Sequence, residues 1–154
     1  VSMKKIFLAL LLFLAVIVGG FIISYNRAEK IPSDVIKTAI VIRDFAFRVE
    51  IAGDSQSRTK GLSGREALRD DEGMLFLFGI PGTYGFWMKD MKFPIDILWI
   101  RDNTIIGFVE NAPPDEHESR AIYYPPELVD RVIEVNAGTV ARLGITVGDV
   151  IELQ

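Results

Sequence analysis

Residues 73–100 read GMLFLFGIPGTYGFWMKDMKFPIDILWI, and the fold turns on this stretch. It holds both tryptophans, four of the ten phenylalanines and three of the four methionines of the chain. Short apolar runs rich in β-branched and aromatic side chains alternate with glycine and proline, the pattern of buried strands separated by turns. Strands are expected over 74–78, 86–89 and 95–101, the last opened by Pro94, with a loop at Gly79, Pro81, Gly82 and Gly85. Successive side chains of a strand point to opposite faces, so Phe86 and Met88 face one way and Trp87 and Lys89 the other. Four charges, Lys89, Asp90, Lys92 and Asp96, sit in otherwise apolar company. The stretch is thus the expected core of a small β-rich domain with a polar site set into it.

Upstream, VIKTAIVIR at 35–43 has strand composition. Phe45, Phe47, Val49 and Ile51 then alternate with Ala46, Arg48 and Glu50, the period of a half-buried strand. Arg43-Asp44 turns the two into a hairpin. Asp54 or Ser55 can cap a short helix over 56–60, and Gly61 suits the left-handed position just past its end. A second short turn at 65–69 and a surface turn at 70–73 lead into the core stretch. Downstream, Asp102-Asn103 is a two-residue hairpin loop and a strand over 104–110 returns. Residues 111–126, with Pro113-Pro114, the acidic run around His117, Tyr123-Tyr124 and Pro125-Pro126, form a loop long enough to suggest function. A strand over 131–135, a helix over 139–143 ended by Gly144, and a strand over 150–153 complete the chain. The fold expected for residues 35–154 is a single α+β domain. Its sheet is mostly antiparallel and curled toward a small barrel, with two or three short helices.

Ahead of this domain, Met3-Lys4-Lys5 precedes residues 6–23, eighteen apolar residues without a charge. At about 1.5 Å per residue such a helix nearly spans a hydrocarbon core of ~30 Å. The apolar core of a cleaved signal is shorter, about 7–15 residues, and Val18-Gly19-Gly20 is a poor cleavage site. The expectation is an uncleaved signal anchor over 1–24 and a polar linker over 25–34, with a cleaved leader as the alternative. Lys4 and Lys5 belong on the cytoplasmic side, which sends the domain across the membrane. The expected location is the cell membrane, crossed once, with the domain outside the cytoplasm, or secreted if the leader is cleaved.

The chain carries 17 basic and 21 acidic residues, a net charge of −4. Setting aside Lys4 and Lys5 leaves 15 basic residues without clustering, which argues against nucleic acid as a partner. Cysteine is absent, which removes thiolate nucleophiles, thiolate metal sites and redox motifs. A domain of this size does not need disulfides, so the missing cysteines say nothing about its compartment.

Six motifs in order carry a resemblance: GLSGREAL at 61–68, EGMLFLF at 72–78, FWMKDMKFPIDILWI at 86–100, ENAPP at 110–114, VIEVNAG at 132–138 and LGITVGDVI at 143–151. Together they resemble Domain of Unknown Function family 192, small bacterial and archaeal domains, over residues 39–153. The resemblance implies a compact, mostly antiparallel β fold with short helices, often behind a signal or anchor segment, and no established activity. Asp90-Met91 stands where the family usually has Asn-Thr, and Ser63 where Met is usual. If polar groups at 90–91 touch a common ligand, this member takes a different one.

Asp96 shares strand parity with Leu98 and Ile100, which puts its carboxylate on an apolar face. A buried carboxylate is costly unless paired, and Lys89 and Arg65 are the natural partners. One reading is a structural ion pair or loop cap. The other is a pocket in which Arg65, Trp87, Lys89 and Asp96 bind a small polar ligand. Trp87 either stacks on a ligand ring or belongs to the core, and Tyr84, Tyr123 and Tyr124 either rim the site or cover the core edge. Met88, Met91 and His117 raise Cu(I), but strand geometry sends the two methionines to opposite faces, so no metal or cofactor is expected. Asp96 and Glu134 are the carboxylates a hydrolase-like enzyme would use, against a plain strand-edge salt bridge for Glu134. The leading expectation is non-enzymatic binding of a small polar ligand or cell-envelope component. The carboxylate-pair enzyme and a structural partner of membrane proteins are the alternatives.

Overall fold

A computed structural model describes residues 37–115 and 121–154. The anchor expected over 1–24, the linker over 25–34 and His117 lie outside the described residues. Among the described residues no helix is long and apolar enough to cross a membrane.

The alternation read at 45–51 forms a hairpin. β1 (Lys37–Ile42) pairs antiparallel with β2 (Phe45–Ala52), setting Ile40 opposite Phe47. α1 (Ser55–Lys60) follows, with Asp54 as its cap. The Asp54 carboxylate accepts from the Ser57 amide at 2.8 Å, and the Ser57 hydroxyl accepts from the Asp54 amide at 3.2 Å. These bonds satisfy amide donors that a helix start leaves free. Residues 65–69 form no helix. β3 (Glu72–Gly82) is longer than the strand expected over 74–78 and absorbs Pro81 where its register with β8 is irregular. β4 (Phe86–Trp87) is only two residues long and pairs with β7 (Ile122–Tyr123), a strand inside the expected loop at 111–126. β5 (Ile95–Arg101) and β6 (Thr104–Ala112) form the second hairpin around Asp102-Asn103. Then come β8 (Val129–Asn136), α2 (Thr139–Leu143) and β9 (Ile151–Leu153).

The main sheet runs β6-β5-β8-β3-β2-β1-β9. Every pairing in it is antiparallel except β2 with β3, whose parallel connection carries α1. The sheet curls until its two edges meet. The Ile105 amide donates to Asp149 at 2.9 Å, the Gly148 amide to Ile105 at 2.8 Å and the Ile151 amide to Asn103 at 2.8 Å. The described residues form an α+β fold with a curled, barrel-like sheet and two short helices.

The curl divides the apolar residues into two cores. Inside lie Ile40, Phe47, Val49, Leu75, Leu98, Ile100, Ile133, Val135 and Ile151, closed at one end by Val140 and Ile145. Outside, Met74, Phe76, Ile97, Trp99 and Val132 pack against Leu62, Phe86 and Met88. Because β3, β5 and β8 bury both faces, their sequences read as nearly unbroken apolar runs. Gly73 is required where β3 meets β8: a Cβ there would stand 2.8 Å from the Glu134 carbonyl oxygen.

Candidate functional site

Glu134 lies in β8, between Met74 of β3 and Ile97 of β5, on the outer face of the sheet. Its strand neighbours Ile133 and Val135 are fully buried, and Glu134 itself is 5% exposed. Its carboxyl oxygen Oε2 is buried and has no hydrogen-bond partner among the described residues. No cation lies within ion-pair distance of it among the described residues. Burial pushes the Glu134 carboxyl up to about 8, against the opposing pull of the Arg65 charge. At neutral pH the side chain is therefore mostly a neutral acid, an O–H donor rather than an anion.

Arg65 does not quench this group because Glu50 holds it. Its Nη1 donates to Glu50 Oε1 at 2.8 Å, and Nη2 donates to Oε2, a two-pronged pair. The hydrogen bond from Arg65 holds the Glu50 carboxyl below the usual carboxylate range, and the same bond raises the Arg65 guanidinium.

Over Glu134 opens a cavity of about 340 Å³. Buried Leu62, Phe76 and Phe86 line it together with the carboxyl, and Phe78, Tyr84 and Met91 complete its apolar wall. Phe76 and Phe86 meet edge to face at 5.0 Å, and Tyr84 stacks on Phe78 at 3.6 Å. The Tyr84 hydroxyl donates to the Ile80 carbonyl at 2.5 Å, which fixes its ring. The C-terminal end of α1 supplies the other side, through Arg58, Thr59 and Lys60. Arg58 lies 5.4 Å from the centre of the Phe78 ring and donates to the Leu77 carbonyl at 3.1 Å. Gly61 ends α1 at φ 50°, and a Cβ there would come within 3.4 Å of Phe76 and 3.8 Å of Glu134 Oε2. Its bare backbone thus leaves room above the carboxyl.

Of the four residues expected to bind a ligand, only Trp87 lines this cavity, and it is 43% exposed. Lys89 is outside the lining, with Nζ 5.5 Å from the centre of the Trp87 ring. The alternation of this segment holds: Phe86 and Met88 are buried, Trp87 and Lys89 exposed. The charged trio of Arg65, Lys89 and Asp96 does not form. Asp96 is fully buried on the inner face, where its carboxylate accepts from the amides of Asn111 at 2.8 Å, Gly138 at 3.2 Å and Val140 at 2.8 Å. Three backbone donors stand where Lys89 and Arg65 were expected, and they leave Asp96 as a structural cap for α2. The carboxylate pair fails for the same geometric reason. Asp96 lies opposite Val135 and Glu134 opposite Ile97, so the two carboxyls are on opposite faces of the sheet. Met88 packs in the outer core with Met91 against it, and Tyr123 packs there too, while Tyr124 is exposed.

Glu134 is not on an edge: β8 is flanked by β5 and β3. The signal in the sequence is the run Val132-Ile133-Glu134-Val135, apolar on both parities, which marks a strand buried on both faces and therefore a buried carboxyl. The contributions of α1 and Gly61 depend on the parallel crossover and leave no such mark.

The sequence pattern of Domain of Unknown Function family 192 (DUF192), described as an uncharacterized ACR, matches residues 38–153. A crystal structure of a proposed transcription regulator from Sinorhizobium meliloti 1021 is 39% identical, with a TM-score of 0.69, over 76% of this chain and 92% of that one. A protein of unknown function from Novosphingobium aromaticivorans DSM 12444 is 31% identical, with a TM-score of 0.69, over 79% of this chain and 89% of that one. No functionally curated protein matches the chain.

Proposed function

The chain belongs to Domain of Unknown Function family 192, and from that premise we propose that it is a non-enzymatic binding module for a small organic ligand or a fragment of a cell-envelope component, held in the cavity over Glu134. One observation carries this reading: a carboxyl buried in a strand interior, one of its oxygens without a partner among the described residues, lines a cavity walled by aromatic rings. A buried polar group left unsatisfied costs about 1–3 kcal/mol, a cost that a ligand hydrogen bond would remove. The cavity falls within the size range of small-molecule sites, mostly apolar with few polar groups. Trp87, half exposed in the cavity lining, supplies a ring face for the outer end of the ligand.

The placement of the domain beyond the cytoplasm rests on the uncharged run at 6–23 behind Lys4 and Lys5. Protease added to intact cells should then degrade the domain, and recovery of the full-length chain in the cytosolic fraction would overturn that part. Direct binding to nucleic acid finds no support in a chain with 21 acidic against 17 basic residues.

The test of the site is a thermal-shift screen of the full chain against sugars, amino acids, aromatic acids and envelope fragments. A ligand that binds the native state raises Tm. The expected result is a binder whose shift disappears when Glu134 is changed to Leu and Trp87 to Ala, each variant remaining folded. A binder unaffected by both changes places the site elsewhere and rejects the reading.

A further inference from the structure

We propose that the cavity selects for charge: it takes small planar molecules that present a carboxylate or carbonyl oxygen to Glu134, and it excludes cationic amines. This inference rests on the binding reading above and adds the ligand's chemical class. Arg65, in the loop after α1, acts on Glu134 while bonded to Glu50 of β2, and Glu72 of β3 acts on Arg65 in turn. Arg58 and Lys60 of α1 line the cavity, and neither has an ion-pair partner among the described residues. Met74 and Ile97, beside Glu134 on β3 and β5, are apolar. Among the described residues lining the cavity the only carboxyl is Glu134, buried and mostly protonated at neutral pH, whereas Arg58 and Lys60 line the same space.

A ligand ammonium would meet only the neutral carboxyl's carbonyl oxygen, or have to ionise Glu134 in an apolar surrounding to gain a counter-charge, and would pass Arg58 and Lys60 to reach it. An oxygen acceptor needs neither step. The Glu134 O–H donates to it directly, and any negative charge it carries is favoured by the two α1 cations. The ring of such a ligand meets Phe76, Phe86 and Trp87, for which flat apolar contact is the natural complement.

Binding that needs the protonated carboxyl is linked to protons. A ligand selecting that form raises the titration midpoint of Glu134, and its affinity falls as pH passes that midpoint. From pH 6 to pH 9 the expected loss is roughly tenfold.

The experiment uses three probes that share a ring and differ in charge: benzoate, benzamide and benzylamine. Each is titrated into the full chain at pH 7, with backbone amide shifts locating the site and the Glu134 carboxyl carbon resonance reporting its protonation. Benzoate and benzamide should shift the cavity resonances and raise the Glu134 midpoint, and benzylamine should do neither. Glu134→Gln keeps a donor at the same place. It should retain benzamide binding and lose the fall in affinity between pH 6 and pH 9. If benzylamine binds in the cavity as tightly as benzoate, or lowers the Glu134 midpoint, charge selection is overturned while the binding reading survives. If none of the three shifts the cavity resonances, both are overturned.

Discussion

Two buried carboxyls in neighbouring strands have opposite fates because of what each one meets. Asp96 meets three amides; Glu134 meets a cavity. The parity of Asp96 with Leu98 and Ile100 placed it correctly on an apolar face. Its partners were illegible because they are main-chain groups, which no side-chain pattern reports. Asp90 carries a related lesson. It sits at φ 57°, in the left-handed region that Asn and Asp tolerate best, so the usual Asn and the Asp present here both meet a backbone requirement. For Glu134 the folded-state value of about 8 lies above the ordinary carboxyl value of 4.5. The folded protein therefore holds a proton that the unfolded chain releases. The stability this group permits is fully present below about pH 4.5 and is lost as pH rises through about 8. At about 1.4 kcal/mol per unit, the full span is on the order of 5 kcal/mol. Glu134→Gln removes the titration, so it should be little less stable than wild type at pH 5 and more stable at pH 8. Urea midpoints of both proteins across that range check this. An advantage for wild type that grows with pH would mean that Glu134 is held as an anion.

At the scale of elements, α2 is five residues long, with Gly138 at its start supplying no side-chain cap. Asp96 fills that role from β5 and, through Asn111, ties the end of β6 to the same point. Asp96→Asn replaces one acceptor oxygen with a donor facing an amide, and hydrogen bonds to a charged group contribute about 1.5–3 kcal/mol each. A loss of roughly 2–4 kcal/mol is therefore expected on denaturant unfolding, with ligand affinity unchanged in the folded fraction, because Asp96 lies on the face away from the cavity. An equally stable variant that loses binding would return Asp96 to the site. The end of α1 behaves differently. Its cap and terminal glycine were legible, since Asp54 and Gly61 are residues with strong positional preferences. Gly61's position over Phe76 and Glu134 was not, because it arises from packing between distant segments. Gly61→Ala forces a side chain into a φ of 50° and into the space above the carboxyl. It should cost about 1–3 kcal/mol and, unlike Asp96→Asn, weaken binding by more than its effect on stability accounts for. Tm and affinity measured together separate the two changes.

At the scale of the whole molecule, the strands could be read from alternation and turn residues, but the closing of the sheet could not. Alternation shows which side chains share a face and leaves open which strand lies beside which. The parallel pairing of β2 with β3 has the same parity as an antiparallel one, and β9 offers only three residues. Yet β9 is the element that brings the sheet edges together. Ile151 pairs with Ile42 of β1 on one side, donates its amide to Asn103 on the other, and is 1% exposed, whereas Leu153 two residues on is 48% exposed. If the inner core depends on this seam, Ile151→Ala should cost about 2–5 kcal/mol through the cavity it leaves, against within about 0.5 kcal/mol for Leu153→Ala at the surface. Local opening should accompany the loss. Hydrogen exchange should quicken first at the amides of Ile105, Gly148 and Ile151, while those of β3 and β8 keep the protection of the central sheet. Equal costs for the two substitutions, or exchange that quickens uniformly, would mean that β9 is an appendage and that the sheet holds its curl without the seam.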